Sequence, residues 1–200
     1  MRLMPATIIL CAALLGGCDQ TRTADARPAT ARSEHVDSLV PREEALRLFR
    51  QGLEEPESLN GGARSRDALV RDFVGALEAR DTAALRAMLM TKAEYGWLYY
   101  PTNPQGLPPY DLSPALYWFM IEGRSAQGLT QALAERGGQP LRLVGYSCYA
   151  GFSQEGVNRV YGPCLVRRRQ APGDTVSERL FGPILERGGR YKFVSYANQL

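Results

Sequence analysis

At Leu141 the period of the hydrophobic pattern changes, and this constrains the fold more than any other feature of the chain. Before it, apolar residues recur at helical spacing: Leu69, Val70, Phe73, Val74 and Leu77 define one face, and Leu85, Met88 and Leu89 another. After it, apolar and polar residues alternate, and 141–149, 157–168, 176–186 and 190–197 read as strands. Strands that follow one another without crossover helices pair antiparallel. Helices gathered in one half and strands in the other give an α+β fold. The expected architecture is N-terminal helices packed on a curved, mainly antiparallel sheet of about four strands.

The curvature follows from a repeated motif. Tyr161-Gly162-Pro163-Cys164-Leu165 is echoed by Phe181-Gly182-Pro183-Ile184-Leu185. Proline removes a ladder donor and glycine relaxes the backbone, so each pair predicts a kink or bulge within its strand. Two such kinks bend the sheet into a cone-like surface, with the helices on its concave side. Gly188-Gly189 predicts a tight hairpin between the last two strands.

The helix boundaries carry their own signals. Ser65 and Asp81 are N-caps, and Thr91-Lys92-Ala93-Glu94 has the form of a capping box. Pro101, Pro104, Pro108 and Pro109 make a rigid loop, after which Ser113-Pro114 restarts a helix. That helix weakens at Gly123 or Gly128 and stops at Gly137-Gly138. Upstream, Pro41-Arg42-Glu43-Glu44 opens a short helix whose stripe of Leu46, Phe49 and Leu53 is expected to dock on the main domain or, failing that, on a partner.

The first residues have a separate role. A single Arg2 precedes the apolar run 8–14, which is too short for a spanning helix of about 20 residues and reads as a secretory signal. It leads into Leu15-Gly16-Gly17-Cys18, which resembles the lipobox of bacterial lipoproteins. The resemblance implies cleavage before Cys18 and a lipid on its sulfur. Residues 1–17 are then a signal peptide and 18–40 a flexible tether poor in large apolar side chains. Residues 41–62 form the short helix and linker, and 63–200 the α+β domain. The expected location is the cell envelope, on a bacterial membrane, with the domain outside the cytoplasm.

Composition removes several kinds of chemistry. The chain has one histidine, His35, and it falls in the tether. The domain therefore has no imidazole for a Ser-His-Asp or Cys-His arrangement or for the usual zinc site. Of four cysteines, Cys11 leaves with the signal and Cys18 takes the lipid. Cys148 and Cys164 remain in an oxidising compartment and are expected to form a disulfide across a hairpin centred on Gly156. No metal or cofactor is expected. A net charge of +3 on 200 residues gives no argument for nucleic acid. Arg167, Arg168 and Arg169 alternate between the two faces of a strand and do not form one basic patch.

Two helices joined at Asp81 and followed by a curved four-stranded meander resemble the nuclear-transport-factor-2-like, or cystatin-like, α+β cone. That resemblance covers about residues 65–197. It implies a cone whose mouth can hold a small apolar ligand, and the aromatic residues Tyr95, Tyr99, Tyr117 and Trp118 are the candidates to line it. The superfamily includes non-catalytic binding modules as well as isomerases and dehydratases, so the fold leaves two functions open. The first is an anchored envelope lipoprotein that binds a small apolar ligand or a protein partner. The second is a lipid-anchored enzyme that pairs a tyrosine with Glu94, Asp111 or Glu122. Glu94 and Asp111 already have uses at helix starts, which favours the first.

Overall fold

The computed structural model describes residues 40–149, 151–171 and 173–200. The expected signal peptide (1–17), Cys18 and all of the expected tether (18–40) but Val40 lie outside the described residues. Among those described, five α-helices come first: α1 (Arg42–Phe49), α2 (Arg66–Glu78), α3 (Thr82–Ala87), the single turn α4 (Lys92–Glu94) and the long α5 (Pro114–Glu135). Seven strands come after them: β1 (Leu143–Cys148), β2 (Ser153–Glu155), β3 (Asn158–Tyr161), β4 (Cys164–Ala171), β5 (Asp174–Glu178), β6 (Ile184–Arg187) and β7 (Arg190–Phe193). The fold is α+β.

The helices start where their caps direct. Ser65 accepts from Ala68 N, Asp81 from Ala84 N and Ser113 from Leu116 N, each satisfying a backbone donor that a helix leaves free. Thr91 and Glu94 form the complete capping box of α4. Beyond α4 the chain departs from a regular helix: Tyr95–Tyr99 is a π-turn and Tyr100–Thr102 a 3₁₀-turn. The long helix α5 runs unbroken through Gly123 and Gly128. Gly128 has a packing reason to be there, because a Cβ would fall on the carbonyl oxygen of Tyr196.

All strand pairings are antiparallel, in two sheets ordered β1-β4-β5 and β2-β3-β6-β7. All four stretches with strand periodicity contain strands, but two of them are cut in the middle. The chain leaves β3 at Gly162-Pro163 and enters the other sheet as β4, then returns from β5 to β6 through Phe181-Gly182-Pro183. The Gly-Pro pairs therefore do more than kink a strand: they pass it from one sheet to the next. The two crossings touch, with Pro183 Cα 3.2 Å from where a Gly162 Cβ would stand. The fourth stretch, β7, is shorter than its periodicity suggests.

Cys148 and Cys164 face each other on β1 and β4 and form a disulfide, closing the hairpin that turns at Gly156. The main core lies between α2 and the sheets. Leu69, Val70, Phe73, Val74 and Leu77 are all buried there, against Val166, Phe181, Ile184, Phe193 and Tyr196. A second apolar cluster joins Leu46, Tyr95, Tyr99, Tyr100, Ile121 and Val194, with Phe49 packed against it. Leu46 and Phe49 of α1 thus dock on the domain, whereas Leu53 lies past the end of the helix and outside the cluster. The helical half is stitched to β7 through its backbone. Met90 N donates to Phe193 O, Phe193 N to Met88 O, and Ala63 exchanges two bonds with Tyr191.

Candidate ligand cleft

Two turns of α5 face the place where the strands change sheets. Tyr117, Met120, Ile121 and Arg124 stand at i, i+3, i+4 and i+7, which puts them on one side of the helix. Opposite lie Gly162, Pro163, Gly182 and Pro183, and the sides are closed by Tyr99, Arg179, Val194, Ser195 and Ala197. Together they enclose a cleft of about 350 Å³. Its shape depends on the crossings, since a strand that continued straight would fill the space with side chains. Gly182 N donates to Ser195 O and Val194 N to Pro183 O, fixing that wall.

The four aromatic candidates do not act as one group. Tyr99 and Tyr117 line the cleft. Tyr95 is wholly buried beneath it, its hydroxyl donating to Pro114 O at 3.0 Å, with Phe49, Tyr100, Tyr117 and Trp118 packed around its ring. Trp118 borders a separate depression with Arg86, Met90 and Glu122. The rings of Tyr95 and Tyr99 still lie 6.2 Å apart, so they are neighbours although only Tyr99 lines the cleft.

Burial keeps both cleft tyrosines neutral. Desolvation raises the Tyr99 hydroxyl well above the ordinary phenol value, helped by the neighbouring Tyr117 and the charge of Glu155. Desolvation also raises Tyr117. The two hydroxyls lie within hydrogen-bonding reach of each other, and at neutral pH both are phenols, not phenolates.

The acids that sequence spacing brought near these tyrosines stand elsewhere. Glu94 is buried among backbone donors and Lys192. Asp111 is exposed in the proline-rich loop, and Glu122 faces outward from α5. Glu155, which the sequence marks only as part of the hairpin turn at Gly156, is the carboxylate whose charge acts on Tyr99 and Tyr117. Its carboxyl accepts from Asn103 Nδ2 at 2.9 Å, and burial raises its pKa, but it does not line the cleft. The lining contains no carboxylate and two arginines. Sequence reasoning missed Arg179, which reads as one more polar residue at a strand end.

The arginine run behaves as alternation requires. Arg168 forms a two-pronged pair with Glu178, and Arg167 and Arg169 are exposed. Among the described residues, no group of three or more His, Cys, Asp or Glu could hold a metal ion. No described helix is long and apolar enough to cross a membrane. No family model, curated protein or solved structure matches the chain.

Proposed function

We propose that the chain is a membrane-anchored envelope lipoprotein, acylated on Cys18, whose domain binds a small ligand without transforming it. The observation that carries this reading is the cleft between α5 and the two sheet crossings, with apolar walls of Met120, Ile121, Val194 and the two prolines. The element order, helices and then bent antiparallel sheets, is compatible with the nuclear-transport-factor-2-like cone, in which such a cavity is at home. Tyrosine-carboxylate chemistry would need an acid beside Tyr99 or Tyr117. Glu155, whose charge acts on both, is held by Asn103 outside the lining, which supports binding over catalysis.

Two experiments test the two halves of the proposal. Mutation of Cys18→Ser should release the protein from membranes or leave it unprocessed; unchanged fractionation and mass would overturn the anchor. For the cleft, the native protein is purified and its co-purifying small molecules are measured by mass spectrometry. A compound carried by the native chain and absent from Ile121→Trp, whose indole would fill the cleft, supports the reading. Equal loading of both proteins would place the ligand elsewhere.

A further inference from the structure

This inference rests on the cleft being a ligand site and concerns what that ligand carries. Two guanidinium groups line the cleft, those of Arg124 on α5 and Arg179 just beyond β5. Neither forms an ion pair or side-chain hydrogen bond among the described residues, and the Arg179 Nε is buried with no partner at all. A buried donor left unsatisfied is costly, more so when it belongs to a charged group.

The neighbouring carboxylate does not relieve it. Glu178, adjacent in sequence, is turned the other way and accepts from Arg168 and Arg136, two nitrogens from each. The same two cleft arginines line the adjoining groove over Gly128 and Asn198, where the other polar groups are the amides Gln127, Gln131 and Asn198. No acid lines either space. The cleft thus has a cationic end with an empty hydrogen-bond position and an apolar body formed by Met120, Ile121 and Val194.

We propose that the cleft takes an amphipathic molecule with an oxyanion head, the head seated on Arg179 and Arg124 and the short apolar body running along α5. The guanidinium fork matches a carboxylate or phosphate in two-point geometry. A volume of about 350 Å³ suits a short or medium chain, not a full-length lipid tail.

The test is calorimetric titration of the full chain, carrying Cys18→Ser, with octanoate, octyl phosphate and neutral octanamide. An oxyanion ligand should bind about tenfold or more tightly than octanamide. Whichever of octanoate and octyl phosphate binds better identifies the head as carboxylate or phosphate. Arg179→Met, which keeps the apolar stem, should lose that preference, and exposed Arg124→Gln should weaken it while keeping the unfolding midpoint of the parent. Equal affinity for octanoate, octyl phosphate and octanamide, unaffected by either substitution, would overturn the oxyanion assignment and leave the cleft as an apolar site. Absence of binding by all three, together with a native ligand equally loaded on Ile121→Trp, would remove the cleft reading as well.

Discussion

Lys192 Nζ lies 3.0 Å from both carboxylate oxygens of Glu94, and the two side chains are only 2% and 1% exposed. The same carboxylate accepts from Asn60 N and Thr91 N at 2.7 Å, so one buried group ties the linker, the cap of α4 and strand β7 together. Removing one partner of a buried pair leaves an uncompensated charge, at a cost of about 3–5 kcal/mol. Lys192→Met should destabilise the domain by that amount in denaturant unfolding. Adding Glu94→Gln should recover part of the loss, because the remaining group is then neutral and still accepts from the backbone. A Lys192→Met protein of parental stability would show that the pair is not formed.

The two mid-helix glycines of α5 should respond in opposite senses. Gly128→Ala puts a methyl group against the Tyr196 carbonyl and should destabilise by about 1–3 kcal/mol. Gly123 has nothing within 4 Å of a Cβ, and Gly123→Ala should stabilise by roughly 0.5–1 kcal/mol. Thermal unfolding of the two variants decides it; the same sign for both would contradict the packing of α5 on Tyr196.

Stability should also fall in acid through a single identifiable carboxylate. Hydrogen bonds from Arg168, assisted by Arg136, lower Glu178 from 4.5 to about 2. A depressed folded-state pKa contributes stability above the unfolded value, and that contribution is lost as pH drops from about 4.5 towards 2. The loss is of the order of 2–3 kcal/mol. Glu155 works in the other direction, since burial raises it and its cost grows as pH climbs above 4.5. Urea unfolding across roughly pH 2–5, the window of the Glu178 effect, should show a steep rise that Glu178→Gln flattens. An unchanged slope in that variant would rule out Glu178 as its source.

The Cys148–Cys164 bridge closes a separation of 16 residues. A loop of about that length corresponds to about 3 kcal/mol in the chain-entropy model, so reduction or the paired Cys→Ala change should lower stability by about that much. Thiol labelling of the unfolded, unreduced protein should find neither residue reactive.

The readable parts of this fold were those decided locally. A cap depends on three or four neighbouring residues, and Ser65, Asp81, Thr91 with Glu94, and Ser113 each start a helix as their spacing predicts. The disulfide was readable because the cysteine count, the expected oxidising compartment and a hairpin turn all point to it. Gly162-Pro163 and Gly182-Pro183 announced a break, but whether a broken strand bends or changes sheets is settled by partners far away in the chain. Lys192 was illegible for the same reason: a lysine between Tyr191 and Phe193 reads as the solvent side of a strand until Glu94 is placed beside it. Tyr95 shows the converse, an aromatic that looked available for a ligand and is spent on the core.

The backbone bonds from Met88, Met90 and Ala63 to β7 have a consequence for a chain still being made. Helices α2 to α4 emerge about a hundred residues before Phe193, with their apolar face finished and nothing to lay it on. Contacts of such long sequence separation are slow to form, and hydrophobic surface that waits is prone to aggregate. The early helices of this protein need either protection or rapid delivery of the later strands, and mutations that slow the return through Pro183 to β7 should reduce yield more than they reduce the stability of the molecules that do fold.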